Sequence, residues 1–255
     1  MSVRKDAYVA LANIFSKQFY FLASLASLGG LLVIFLQDKD AIFFALLFFC
    51  LMLFIFTTAL VYTLFKIIGQ NTHPFESKST FVKYETFDGK QINFEIYKSI
   101  QSKKTILTEY SFNFKWSGSV LPQISSDLQQ VISVLDINDP TQYDKAILKF
   151  SKPIYYNGNE VIHFKANLND FDKSSDTNVS NRITQEVDII HYRIILKYKP
   201  INYDENAILE RKLINAIESK FEKLAEISFD STTKSYEYHL LKPTLGYIYR
   251  IRWNR

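Results

Sequence analysis

The sequence predicts an α+β protein: a two-helix transmembrane hairpin near the N-terminus, then an antiparallel β-sheet or small barrel with about two helices. Three observations predict it. Two uncharged apolar runs, 19–36 and 41–65, lie almost back to back. Several later segments alternate apolar and polar residues, the signature of half-buried strands. Two stretches, 122–135 and 205–227, repeat apolar residues at helical spacing instead.

Residues 1–18 read as a cytosolic amphipathic segment, with Val9 and Ala12 at helical spacing and Lys5 and Lys17 as polar members. The run 19–36 covers about 27 Å as a helix, against a hydrocarbon core of about 30 Å. Gln37, Asp38, Lys39 and Asp40 form the turn, and 41–65 is the second span, closed by Lys66. A second span following at once, with no small-residue cleavage site, argues against a secretory signal. Arg4, Lys5 and Lys17 precede the hairpin, and Lys66, Lys78 and Lys83 follow it. Both termini are therefore expected on the cytoplasmic side. Ala23, Ser27 and Gly30 form a stripe of small residues that lets helix backbones approach, within one hairpin or between copies in a homo-oligomer. Neither run contains Asp, Glu, Lys, Arg or His, which excludes a transporter-type proton relay.

A polar linker, 69–79, leads to the soluble domain, 80–255. Asp88 and Gly89 mark a hairpin between 80–86 and 91–96, and Asn157 and Gly158 mark a second between 154–156 and 161–168. In 106–116, Ile106, Thr108, Tyr110, Phe112, Phe114 and Trp116 share one face. Further strands place Ile190, Tyr192, Ile194, Leu196 and Tyr198, and then Tyr247, Tyr249, Ile251 and Trp253, on single faces. Ile124, Leu128, Val131, Ile132 and Leu135 predict one helix, and Ile208, Leu209, Leu213, Ile217, Phe221 and Leu224 a second capped by Asp204. The Asn-, Asp- and Ser-rich stretch 169–181 reads as a mobile loop in which Asp170 and Asp172 are solvated.

Composition narrows the function. The net charge of +4 is spread evenly between the apolar N-terminal part and the rest, without the basic excess that long nucleic acids require. The single cysteine, Cys50, allows no intrachain disulfide and suits a reducing compartment. The chain has no Walker A, G-x-G-x-x-G, G-x-S-x-G or H-E-x-x-H motif, and only seven glycines. No enzyme, cofactor or metal centre is expected. His73, His163, His191 and His239 show no ligand pair at helical spacing. The polar faces of three strands instead carry Lys165 with His163, Arg193 with His191, and Arg250 with Arg252. If those strands are neighbours, Lys165, His191, Arg193, Arg250 and Arg252 form a cationic site suited to phosphate, with tyrosines at hand to stack on a base.

The layout, a hairpin at 19–68 followed by a β-rich domain at 80–255, resembles small bacterial anti-phage membrane effectors of the CBASS type. That resemblance implies a β-rich cytosolic sensor for a cyclic nucleotide, nucleotide-driven oligomerisation, disruption of the bilayer, and residence in the bacterial inner membrane. The cationic residues are read from the strands and not from the family. The expectation is therefore a ligand-gated membrane effector in anti-phage defence. The alternative is a membrane-anchored interaction module, in which the hairpin is a tether and the domain binds a protein along an exposed strand edge.

Overall fold

A computed structural model describes residues 20, 24, 39–69, 73–104, 106–137, 142–214 and 220–255. The chain divides into two compact units, Met1–Gln70 and Asn71–Arg255.

In the first unit one helix, α1 (Lys39–Gly69), is delimited among the described residues. Its Ile42–Thr63 portion is long and apolar enough to cross a membrane. Phe43, Phe44, Leu47, Phe48, Phe54 and Ile55 are all exposed. The hydroxyls of Thr58 and Thr63 donate to the carbonyls of Phe54 and Ala59, at 2.8 Å each. Such back-bonding satisfies a hydroxyl within the helix, as an apolar surrounding demands. The predicted two-helix hairpin does not stand: the described residues delimit one apolar helix. The amphipathic segment 1–18, most of the first span, and Ala23, Ser27 and Gly30 lie outside the described residues.

Among its described residues the second unit has strands and no helix. In chain order they are β1 (Phe75–Thr86), β2 (Gln91–Ser102), β3 (Ile106–Phe114), β4 (Gln123–Ser125), β5 (Gln130–Leu135), β6 (Asp144–Tyr155) and β7 (Asn159–Asn169). There follow β8 (Asn178–Arg182), β9 (Ile189–Leu196), β10 (Ala207–Leu213), β11 (Glu222–Ile227), β12 (Ser235–Leu241) and β13 (Tyr247–Arg252). They form a six-stranded sheet, β12-β9-β1-β2-β7-β4, a four-stranded sheet, β11-β10-β13-β8, and a three-stranded sheet, β3-β6-β5. The six-stranded sheet is mixed, because β1 and β9 run parallel.

This corrects the α+β expectation in three places. First, 122–135 forms β4 and β5 and not a helix; Val131 and Ile132 are β-branched and pack well on a pleated surface. Second, the described part of 205–227 forms β10 and β11. In β10, Ala207 and Leu209 point into the core, and β11 and β13 pair with it on either side. Those two ladders outweigh a weak helical preference. Third, Asn157 and Gly158 do not join a hairpin, since β6 and β7 belong to different sheets. The turn, with Asn157 at φ 63°, hands the chain from one sheet to the other. Asp88 and Gly89 do close a hairpin between β1 and β2, with Asp88 Oδ1 accepting from the Lys90 and Gln91 amides.

One face of the six-stranded sheet is buried. Val82, Phe164, Tyr192 and Ile194 share a core with Leu209, Tyr249 and Ile251 of the four-stranded sheet. Farther along, Ile100 and Ile162 share a second core with Tyr110, Leu148 and Phe150 of the three-stranded sheet. Each fully buried aliphatic side chain contributes about 1.5–3 kcal/mol. In β3 a bulge between Leu107 and Glu109 breaks the predicted alternation, so Leu107 is buried and Ile106 exposed. The stretch 169–181 is ordered by Asp170, which accepts from Arg255 Nη2 at 2.7 Å and from the Ser175 amide at 2.9 Å. Asp170 is thus buried and paired, contrary to its expected solvation.

Candidate functional site

The opposite face of the six-stranded sheet carries most of the unit's chemistry. Strand alternation sends Ile190, Tyr192 and Ile194 inward, so His191 and Arg193 must point outward. Register then sets their neighbours. His191 lies opposite His239 of β12 and Phe81 of β1, Phe81 opposite Tyr97 of β2, and Tyr97 opposite His163 of β7. One transverse row of five rings crosses five strands. Successive ring centroids from His239 to His163 are 4.1, 4.8, 6.4 and 4.4 Å apart.

The next row along the strands is charged: Glu237, Arg193, Lys83, Glu95 and Lys165. Lys165 approaches Glu95 at 3.9 Å, and Lys83 approaches Glu85 at 2.7 Å. The hydrogen bond that its ammonium donates to the Glu85 carboxylate holds the Lys83 pKa above the ordinary lysine value. Arg193 differs: its Nε is buried and has no hydrogen-bond partner. A buried guanidinium N–H without an acceptor is a donor awaiting one.

The two ends of the ring row differ. At one end, His163 is fully buried beneath Tyr97, and its Nδ1 accepts from the Asp127 amide at 2.9 Å. Burial pushes its pKa below the usual histidine value. At the other end, His191 Nε2 meets Glu237 Oε1 at 2.7 Å, and donor atoms of His191, Glu237 and His239 all lie within 4.8 Å of one another. This is the one group of three such donors found close together among the described residues.

No family model matches the sequence, and no curated protein matches it. Solved structures that are similar include an M1 zinc metallopeptidase from Deinococcus radiodurans, with TM-score 0.39 and 5% identity. A putative protease from Parabacteroides distasonis gives TM-score 0.41 and 8% identity, and baculovirus P35 gives 0.31 and 11%. Each match covers 71% of this chain. The chain spans about four-tenths of the two peptidase chains, 42% and 40%, and 98% of the P35 chain. Similarity this low assigns neither a shared fold nor an activity.

Of the predicted ligand residues, Lys165, His191 and Arg193 share the outer face. Lys165 stands three strand spacings from Arg193, about 14 Å. Arg250 and Arg252 lie on β13 of the four-stranded sheet and do not join them. Both approach Glu210 Oε1, at 2.6 and 3.5 Å, and Arg250 also stacks 3.5 Å above the Phe221 ring. Of the nearby tyrosines, Tyr236 is buried on the core face, its hydroxyl donating to the Glu205 carbonyl. Phe81, Lys83, Tyr97, Glu237 and His239 were not anticipated as site residues. The alternation of 235–241, with Tyr236, Tyr238 and Leu240 against Glu237 and His239, was the available signal.

Proposed function

We propose that this chain is a non-catalytic, membrane-anchored recognition protein. The helix α1 is the anchor, and the outer face of the six-stranded sheet receives an acidic segment of a protein partner. The unpartnered Nε of Arg193, which lies between Lys83 and Glu237 and one row from the Phe81 ring, is the observation that carries this reading. A half-buried arginine beside a row of aromatic rings is the composition of an interface hot spot. The open sheet face favours a broad partner, because small ligands bind in concave sites that enclose most of their surface.

The reading has two tests. A photo-crosslinking residue at position 97, in the full-length chain in cells, should trap a discrete protein. Arg193→Glu should abolish the adduct, whereas a probe at Tyr155 should give none. Adducts at position 97 that ignore Arg193→Glu would remove the site. In the second test, Leu53→Lys with Phe54→Lys should release the chain from alkaline-washed membranes. Retention would remove the anchor.

A second reading, a membrane effector gated by a cyclic nucleotide, draws on the same donor, since Arg193 with the Phe81 and Tyr97 rings suits a planar anion. It is the weaker of the two because Arg250 and Arg252 are engaged by Glu210. Nucleotide-dependent depolarisation of expressing bacteria, scored with a voltage-sensitive dye, would reverse this ranking.

A further inference from the structure

The backbone alone brings His191, Glu237 and His239 together. Residues two apart on a strand share a face, so Glu237 and His239 project from β12 in the same direction. The antiparallel partner β9 places His191 directly opposite His239. Directly opposed Cβ atoms lie about 4.5–5.5 Å apart, so side chains of this length converge. Their donor atoms indeed fall within 4.8 Å of one another, without long flexible side chains having to reach.

The His191 ring is held from both sides, by Phe81 with centroids 4.8 Å apart and by His239 at 4.1 Å. Its Nε2 already meets the Glu237 carboxylate at 2.7 Å. Glu237 and His239 are exposed and free to adjust. Ligands of one ion with bonds of about 2.0–2.2 Å sit roughly 3.3 Å apart. The His191–Glu237 contact would open by about half an ångström, and the widest pair would close, through rotation of the two exposed side chains.

We propose that His191, Glu237 and His239 bind a divalent transition metal ion, Zn²⁺ being the best match. Two imidazoles and one carboxylate are borderline donors suited to zinc, and unlike the all-oxygen sets of magnesium or calcium. Three protein ligands leave a further position for water or for a donor from a bound molecule. Arg193 and Lys83, one row away, oppose a cation, so the site is weaker than a buried structural zinc centre. An ion here also fastens the edge strand β12 to β9.

The experiment uses the detergent-purified full-length chain, stripped with chelator and titrated with Zn²⁺ against a chromophoric competitor. Thermal unfolding is followed in parallel. The expected result is one tight ion per chain, a rise in Tm with Zn²⁺ but not with Mg²⁺, and tetrahedral Co²⁺ absorption bands. His239→Ala and Glu237→Gln, both at exposed positions, should each weaken binding by at least about tenfold and remove the Tm rise. His73→Ala should change neither. Unaltered Zn²⁺ affinity in both site variants, or no stoichiometric binding by the parent chain, would overturn the proposal. The assay contains no partner, so its outcome is independent of the recognition reading.

Discussion

The side-chain amide of Gln129 pairs with the backbone of His163 as a neighbouring strand would. Its Oε1 accepts from the His163 amide at 2.9 Å, while its Nε2 donates to the Val161 carbonyl at 2.8 Å. The short strand β4 pairs with β7 only from Asn167 to Lys165, and Gln129 continues that edge. Gln129→Ala should therefore leave two backbone groups of β7 without a protein partner. The expected cost is about 1–3 kcal/mol in urea unfolding of the full-length chain. Gln129→Glu keeps the acceptor and loses the donor, and it should not restore parental stability.

His163 predicts an acid sensitivity. Burial disfavours its charged form, so its folded pKa lies below its unfolded one. Below about pH 6.5 the unfolded chain takes up a proton that the folded chain refuses. Stability from this residue is thus fully present above that pH and declines as pH falls toward the folded value. The urea midpoint should drop between about pH 7.5 and about pH 5.5, and His163→Gln should flatten the drop. Glu76 acts lower on the scale. Burial raises its pKa, but hydrogen bonds from Lys78 and Lys103 outweigh this and hold it below the usual range, so its contribution is lost only as pH falls through the carboxylate region.

Arg250 should behave as a structural residue. Glu210 is almost buried beneath it, and Glu210→Gln should cost about 1–3 kcal/mol. Arg250→Ala should destabilise similarly, and a double-mutant cycle should give a coupling of at least about 0.5 kcal/mol. Additive effects would show that the pair is not coupled.

Arg255→Ala should loosen 170–176 by removing the donor to Asp170 and to the Ser175 carbonyl. Lys173 is exposed in this segment, at φ 56°. Trypsin should then cut after Lys173 faster than in the parent chain, with the rest of the β unit still resistant. An unchanged cleavage rate would mean that Arg255 does not hold the segment closed.

The strands that alternate without interruption were legible from the sequence, and β9 and β13 bury the residues predicted for them, apart from Tyr198 and the half-buried Tyr247. The two supposed helices were misread for a common reason. Ile208 and Leu209 are adjacent, which fits a helical stripe, yet in β10 they point to opposite faces. Only the ladders to β11 and β13 decide between the two, and β13, unlike the next strand β11, is distant in sequence. The site was legible to the same extent. That His191 and Arg193 point outward follows from alternation. That Glu210 engages Arg250 follows from a contact 40 positions away in the chain, which no local pattern announces. The group of His191 with Glu237 and His239 depends likewise on the β9–β12 register.

The parallel pairing of β1 with β9 has a kinetic consequence. Ser79 pairs with Ile189, about 110 positions later, and β9 in turn needs β12 on its far side. During synthesis β1 and β2 emerge early and can zip together, but their second neighbour does not yet exist. The hydrophobic interior shared by Val82 and Trp253 closes only once Trp253 has left the ribosome. By then α1 has long been available to a membrane. Maturation of the β unit therefore waits on its last strands, and the half-made chain exposes sticky strand edges that chaperones are placed to shield.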